Sequence, residues 1–145
     1  MAFMNLLDIS GSALTASRLR MDVISENIAN AQTTRTENGG PYRRKMVTYE
    51  CADTPSTFQS MVDEKLAAEP RGVKATGIVE DQTPFPEKYD PTSPDADARG
   101  YVRRPNVDLM KETVDMMAVA RTYNTNLTAL ETVKDMAAKA LEMGR

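Results

Sequence analysis

Residues 1–31, MAFMNLLDISGSALTASRLRMDVISENIANA, decide the expected fold, because apolar and small side chains repeat along them at alternating steps of three and four. This spacing places the repeated residues on one face of an α-helix and is typical of helices that pack side by side. We therefore expect a helix over about residues 3–31, whose end is marked by Asn27, Asn30 and the polar residues that follow. The repeat comprises Phe3, Leu7, Ser10, Leu14, Ser17, Met21, Ile24, Ile28 and Ala31.

A second repeat with the same spacing lies near the other end of the chain. Leu127 and Leu141 widen its apolar stripe beyond the surface that one partner helix would cover. We expect this helix to follow Pro105, with Asn106 as its N-cap and Asp108 in its first turn, and to run to about residue 143. The repeat comprises Met116, Val119, Tyr123, Asn126, Leu130, Val133, Ala137 and Ala140.

The residues between the two repeats predict strands, turns and extended chain. Composition favours strands over about residues 42–51 and 72–80 and a short helix over residues 58–68. Prolines predict an extended connector over residues 81–105, because each proline fixes φ and lacks a backbone donor. The predicted fold is mainly α, with the terminal helices paired as a coiled coil and a small β-containing insert between them. Its parts are residues 1–34, the N-terminal helix, residues 35–105, the insert, and residues 106–145, the C-terminal helix.

Composition argues against several functional classes. The 145 residues include no His and one Cys, so the usual zinc ligands and the commonest acid–base group are missing. The formal net charge is -3 and no basic stripe is present, which argues against nucleic-acid binding. No apolar run approaches the roughly 18 residues of a membrane span, and no basic region precedes the apolar start as in a cleaved signal peptide. We expect no catalysis, no cofactor and no membrane insertion.

The connector contains one candidate metal site. Residues 95–106 start like a calcium-binding loop, with Asp95 and Asp97 at its first and third positions. Arg99 stands at the fifth position, however, and Asn106 at the twelfth, where a bidentate Glu is required. We interpret the segment as a solvated acidic turn.

Asn126 is the most unusual residue of the second repeat, because an amide lies where apolar side chains are expected. A polar residue at such a position can fix the register of paired helices at a cost in stability. The alternative is that Asn126 faces water. Both interpretations stay open at this point.

Motifs at both ends of the chain resemble the signatures of bacterial flagellar rod and hook proteins. SENIANA at residues 25–31 and GGPYR at residues 39–43 are similar to their N-terminal signature. GYVRRPNVD at residues 100–108 and RTYNTN at residues 121–126 are similar to their C-terminal signature. The resemblance covers about residues 1–50 and 98–145, and the length and short insert look most like those of proximal rod subunits.

The resemblance implies an axial structural component of the flagellar basal body, exported uncleaved through the flagellar type III apparatus. It also implies that the terminal helices pack into a tube with copies of the chain and with neighbouring rod proteins. The alternative is a secretion chaperone or adaptor that binds partner helices, which would stay in the cytoplasm instead of entering basal bodies. The predicted assembly interface comprises Leu7, Leu14, Met21, Ile24, Asn27, Ile28, Asn30, Asn106, Met116, Arg121, Tyr123, Asn126, Leu127, Leu130 and Leu141.

Overall fold

A computed structural model describes residues 2–37, 39–52 and 72–143, with side chains from residue 5 onwards. The short helix predicted over residues 58–68 lies outside the described residues. Both predicted terminal helices are present, close to their expected bounds. The described elements are α1 (Ala2–Ala29), β1 (Lys45–Cys51), β2 (Val73–Glu80), β3 (Glu87–Tyr89), β4 (Tyr101–Arg103) and α2 (Leu109–Met143).

The predicted fold class is wrong. Besides two helices, the described residues form two antiparallel two-stranded sheets, β1 with β2 and β3 with β4. A repeat of apolar residues shows that one helix face is covered, but it does not say whether a helix or a sheet covers it. In this chain β1 covers part of the α1 face, where the Tyr49 hydroxyl donates to the Ala16 carbonyl at 3.3 Å.

The chain divides into two compact units by its contacts. The first unit comprises Met1–Leu19, Thr48–Gly77 and Ala120–Arg145, and the second unit comprises Arg20–Val47 and Ile78–Val119. In the first unit, the backbone N–H of Val73 donates to Ser12 Oγ at 3.1 Å, which fixes the start of β2 on α1. Gly72 has φ +107°, and a Cβ there would lie 2.2 Å from Ser12 Oγ. This close approach requires a glycine.

The second unit contains a hairpin that the sequence did not predict. β3 pairs with β4 so that Lys88 is opposite Val102 and Tyr89 is opposite Tyr101. The two tyrosine rings meet edge to face, with centroids 5.3 Å apart. The prolines of the predicted connector flank the strands instead of interrupting them, so no ladder donor is lost.

The start of α2 also differs from the prediction. Asp108 is the N-cap, because its Oδ1 accepts from the backbone N–H groups of Met110 at 3.0 Å and Lys111 at 3.4 Å. Asn106 does not cap the helix. Its Oδ1 accepts from the backbone N–H of Arg44 at 2.7 Å, and its Nδ2 donates to the Asp81 carbonyl at 3.1 Å. The carboxylate directly before the helix is better placed for capping, which leaves the Asn106 amide to bridge two other segments.

Among the described residues, most of the buried apolar side chains belong to the second unit. Its buried apolar residues are Val23, Ile24, Tyr42, Val102 and Val119, whereas Ala16 is the buried apolar residue among the described part of the first unit. Within the described ranges, neither helix is long and apolar enough to cross a membrane.

Candidate functional site: helix faces and a buried polar cluster

The part of α2 that belongs to the first unit is incompletely covered. Over residues 120–143, all of which are described, no residue is fully buried. The half-buried residues nevertheless follow the spacing of the sequence repeat, so one face of this part of the helix is partly covered within the chain. They include Tyr123, Asn126, Leu130, Val133 and Ala137.

The part of α2 in the second unit has apolar residues on two opposite sides. On one side Val119 is buried, with 6% of its surface exposed. On the other side Met110, Val114 and Met117, spaced by four and three residues, are 77%, 62% and 57% exposed. We call these three residues the methionine stripe. An exposed apolar stripe on a helix is typical of a contact surface.

A buried polar cluster lies in the second unit, where α1 ends, β1 begins and α2 begins. Its centre is Asn27, which is 1% exposed. Asn27 Nδ2 donates to the Lys45 carbonyl at 2.9 Å and to Glu112 Oε2 at 3.2 Å. Asn27 Oδ1 accepts from the Tyr42 hydroxyl at 3.0 Å and from the Lys45 backbone N–H at 2.9 Å. The amide therefore uses both donors and both acceptor positions.

Glu112 is the α2 member of this cluster and is 0% exposed. Its Oε1 accepts from Arg44 Nε at 2.6 Å, so the buried carboxylate is held by a guanidinium as well as by Asn27. Arg44 also approaches Asp81 at 3.9 Å and Asp115 at 3.7 Å. A buried carboxylate with a cation and a hydrogen-bond donor in place avoids most of the cost of an unpaired charge.

Two ionisable groups near the cluster have shifted pKa values. Burial, helped by the nearby carboxylates of Glu26 and Glu112, raises the pKa of Tyr42 to about 12. Hydrogen bonds from the Thr83 side chain and backbone, together with the positive charge of Arg44, lower the pKa of Asp81. At neutral pH the Tyr42 hydroxyl is therefore a donor, as its bond to Asn27 requires.

The predicted interface residues occupy different environments. The amides of Asn27, Asn30 and Asn106 form hydrogen bonds within the chain, that of Asn30 through Nδ2 to the Glu26 carbonyl at 3.0 Å. Whether the predicted residues contact other subunits stays a prediction. Ile24 and Asn27 are buried and Arg121, Leu127 and Leu141 are exposed. Half-buried are Leu7, Leu14, Met21, Ile28, Asn30, Asn106, Met116, Tyr123, Asn126 and Leu130.

Sequence reasoning missed Tyr42, Arg44 and Glu112. One signal was present: Glu112 lies four residues before Met116 and seven before Val119, so it extends the second repeat by one step. A charged residue at that position predicts a buried, paired carboxylate. The partners of Glu112 had no comparable local signal.

The acidic turn has side chains engaged in local hydrogen bonds. Asp95 Oδ2 accepts from Thr34 Oγ1 at 2.7 Å, and Asp97 Oδ1 accepts from the Arg99 backbone N–H at 2.6 Å. In the described part of the chain, no group of three or more His, Cys, Asp or Glu residues is arranged to hold a metal ion.

Comparisons with known proteins define the class. Residues 98–143 match the family described as "Flagellar basal body rod FlgEFG protein C-terminal". Residues 7–35 match the family described as "Flagella basal body rod protein". Both ends are therefore those of flagellar basal-body rod proteins, as the sequence motifs indicated.

Individual relatives are similar along the whole chain. The flagellar basal-body rod protein FlgC of Bacillus subtilis (strain 168) is 47% identical over 146 residues, covering 96% of both chains. FlgC of Escherichia coli O6:H1 is 40% identical and FlgC of Salmonella typhimurium (strain LT2) is 39% identical, each covering 100% of both chains. The chain belongs to the FlgC family of flagellar basal-body rod proteins. It is a structural subunit of the bacterial flagellar rod, located in the basal body, and the predicted function is confirmed.

Proposed function

We propose that this subunit is built into the rod through α1 and α2, which contact copies of the same chain and neighbouring rod proteins. It reaches the rod through the flagellar type III export apparatus and acts mechanically, without catalysing a reaction. Membership of the rod family supports assembly with other basal-body components in general. The resemblance of both ends to axial flagellar proteins supports the export route.

The observation that carries this proposal is the large apolar surface left exposed on α2. Besides the methionine stripe, Leu127, Met136, Leu141 and Met143 are 38%, 67%, 77% and 83% exposed. Contact with a neighbouring subunit would remove this surface from water, which contributes roughly 25 cal/mol for each Å² buried. Many such contacts, repeated along the rod, would give a stiff shaft.

Site-specific photocrosslinking tests the proposed contacts. A strain that lacks its own rod subunit is complemented with chains that carry a photoreactive amino acid at Met117 or at Leu141. We expect both positions to form crosslinks to rod proteins, including copies of the same chain, in purified basal bodies. Gln82, which is exposed between β2 and β3, is the matched polar control and is expected to form few crosslinks.

Two results would contradict the proposal. One is recovery of the chain only from the soluble cell fraction and not from basal bodies, which would also contradict the proposed export. The other is incorporation into basal bodies with crosslinks at Gln82 and none at Met117 or Leu141, which would show that other surfaces make the contacts.

A further inference from the structure

We propose that Glu112 and Asn27 are positioning residues for rod assembly. Their buried hydrogen bonds fix the rotation and axial position of the start of α2 against the last turns of α1, and so fix the direction in which the methionine stripe faces. The inference rests on the proposed function of α2 as a contact surface. The buried polar cluster would orient the contact surface without touching a neighbouring subunit itself.

The hydrogen bonds of the cluster specify a single position of α2. Asn27 has no unused donor or acceptor, and one of its four bonds goes to Glu112 Oε2. Rotation of α2 by one residue turns the helix by about 100° and would bring Lys111 or Thr113 to the position of Glu112. Lys111 offers no acceptor for the Asn27 amide. Thr113 has one hydroxyl oxygen where Glu112 uses one carboxylate oxygen for Asn27 and the other for Arg44, and it has no negative charge to pair with the guanidinium.

The charge of Glu112 strengthens this preference. Its carboxylate, fully removed from solvent, lies 2.6 Å from Arg44 Nε, and any slip of the helix would separate this buried charge from the partly exposed guanidinium that neutralises it. A buried carboxylate that loses its cation costs more free energy than the exchange of one apolar side chain for another of similar volume. The apolar neighbour Val119 would tolerate small slips, whereas the ion pair would not.

The position of Glu112 on the helix links the cluster to the exposed face. Glu112 lies about 200° around the helix from Met110 and Val114, and about 140° from Met117, so it holds the side of α2 that faces away from the methionine stripe. When Glu112 contacts Arg44 and Asn27, the three apolar residues face solvent, with more than half of each surface exposed. A subunit with this cluster therefore presents the stripe in one orientation before it meets a partner.

The cluster contributes orientation more than stability. Replacement of a buried ion pair by apolar residues is often neutral for stability, whereas a single polar residue in a helix seam can set register. The buried apolar residues Val23, Ile24, Val102 and Val119 already supply a core in the same unit.

Exchange of the donor and the acceptor between the two residues tests the proposal. Asn27→Asp places a second carboxylate about 3.2 Å from Glu112, and Glu112→Gln leaves two donors, Asn27 Nδ2 and Arg44 Nε, competing for one acceptor oxygen. In the double variant, the amide introduced by Glu112→Gln can donate to the new carboxylate while its oxygen still accepts from Arg44. The bond from Asn27 Nδ2 to the Lys45 carbonyl is lost both in Asn27→Asp and in the double variant, so a comparison of these two isolates the bond between positions 27 and 112. Loss of one buried bond to a charged group lowers the population of subunits with α2 in the required orientation by about tenfold or more. If assembly draws on that population, we expect basal bodies per cell to fall by a similar factor in each single variant. The double variant should recover several-fold from Asn27→Asp.

Val102→Ala is the matched control. Val102 is a buried residue of β4 in the same unit, and its truncation lowers stability without touching a bond of the cluster. We expect Val102→Ala to lower the stability of the purified subunit in urea unfolding but to leave the number of basal bodies close to that of the parent, whereas Glu112→Gln should lose far more basal bodies than its loss of stability alone would cause. Amide exchange of the purified full chain should show faster exchange over residues 112–119 in Glu112→Gln and not in Val102→Ala.

Three outcomes overturn the inference. One is a fall in basal bodies that follows loss of stability equally in Val102→Ala and Glu112→Gln, because the cluster would then be merely structural. Another is parental assembly by Glu112→Gln. The third is a double variant no better than Asn27→Asp, which decides the matter even where a single variant does not fold. Failure of the parent chain itself to enter basal bodies would instead contradict the proposed function.

Discussion

Gly72→Ala tests the contact that fixes the start of β2 on α1. Gly72 has φ +107°, a conformation that costs an L-amino acid roughly 1–2 kcal/mol. The added Cβ would also lie 2.2 Å from Ser12 Oγ and 3.1 Å from Ser12 Cβ. The hydroxyl would have to leave its place between the Ile9 carbonyl, to which it donates at 2.8 Å, and the Val73 N–H, from which it accepts.

The expected loss follows from these contacts. Each of the two hydrogen bonds contributes about 0.5–1.5 kcal/mol net, so together with the backbone cost we expect Gly72→Ala to lower the free energy of unfolding by about 2–5 kcal/mol. Urea unfolding of the purified subunit, followed by circular dichroism, measures this difference. In a Ser12→Ala background the same substitution should cost about 1–3 kcal/mol less, because the two hydrogen bonds are already absent.

Gly77→Ala is the control in the same strand. The φ angle of Gly77 is not positive, and a Cβ added there would lie 3.8 Å from Thr48 Oγ1, an ordinary van der Waals distance. We expect it to change the free energy of unfolding by less than about 1 kcal/mol. If Gly72→Ala were as mild as Gly77→Ala, the described docking of β2 on α1 would be refuted.

Three further predictions concern the cluster and α2. The pKa of Tyr42 is about 12 in the folded chain and about 10 in the unfolded chain. The stability that the protonated Tyr42 hydroxyl contributes is therefore fully present below pH 10 and is lost as the pH rises towards 12. The parent should therefore lose more stability over this interval than Tyr42→Phe, and parallel urea unfolding curves would contradict this. Leu130→Pro should abolish swimming of a complemented null strain while export continues, because a proline inside α2 costs about 3 kcal/mol or more. Leu130→Ala, which retains the backbone bond, is the control, and normal swimming of Leu130→Pro would contradict a continuous α2. Asn126→Leu should leave the subunit folded yet reduce the number of basal bodies, because the polar residue that fixes register is gone. Asn126→Ala should weaken helix packing by about 1–3 kcal/mol, because the polar partners of the amide are left unsatisfied. Normal swimming of both variants would favour the alternative in which Asn126 only faces water.

The sequence predicted those elements that are long enough for a consistent repeat or composition to be recognised. Both helices and the strands β1 and β2 were found close to their observed bounds, because each contains seven or more residues of consistent character. β3 and β4 have three residues each, which is too short for an alternation to be recognised. The coiled-coil fold was wrong because the repeat indicates a covered face without identifying the cover, and strands provide part of it.

The buried cluster could be predicted only in part, because its members are far apart in the chain. Glu112 extends an apolar repeat and thus signals a buried carboxylate. Its cation, Arg44, is 68 residues away, and nothing in the local sequence distinguishes it from Arg43 or Lys45. The choice among three neighbouring basic residues depends on how β1 leaves the preceding turn, and that is a property of the folded chain.

The motifs that carry the family resemblance meet at this cluster and its edge. The N-terminal motifs supply Asn27 and Tyr42, and the C-terminal motif supplies Asn106, whose Oδ1 accepts from the Arg44 backbone N–H. The methionine stripe, by contrast, lies outside both motifs. Buried amides tolerate little change, because each lost bond leaves a polar group unsatisfied, whereas an exposed apolar stripe accepts any side chain of similar size and character. A resemblance carried by internal hydrogen bonds therefore identifies how the rod subunit holds its second helix, and under the proposed function the choice of neighbours would depend on the residues that this helix exposes.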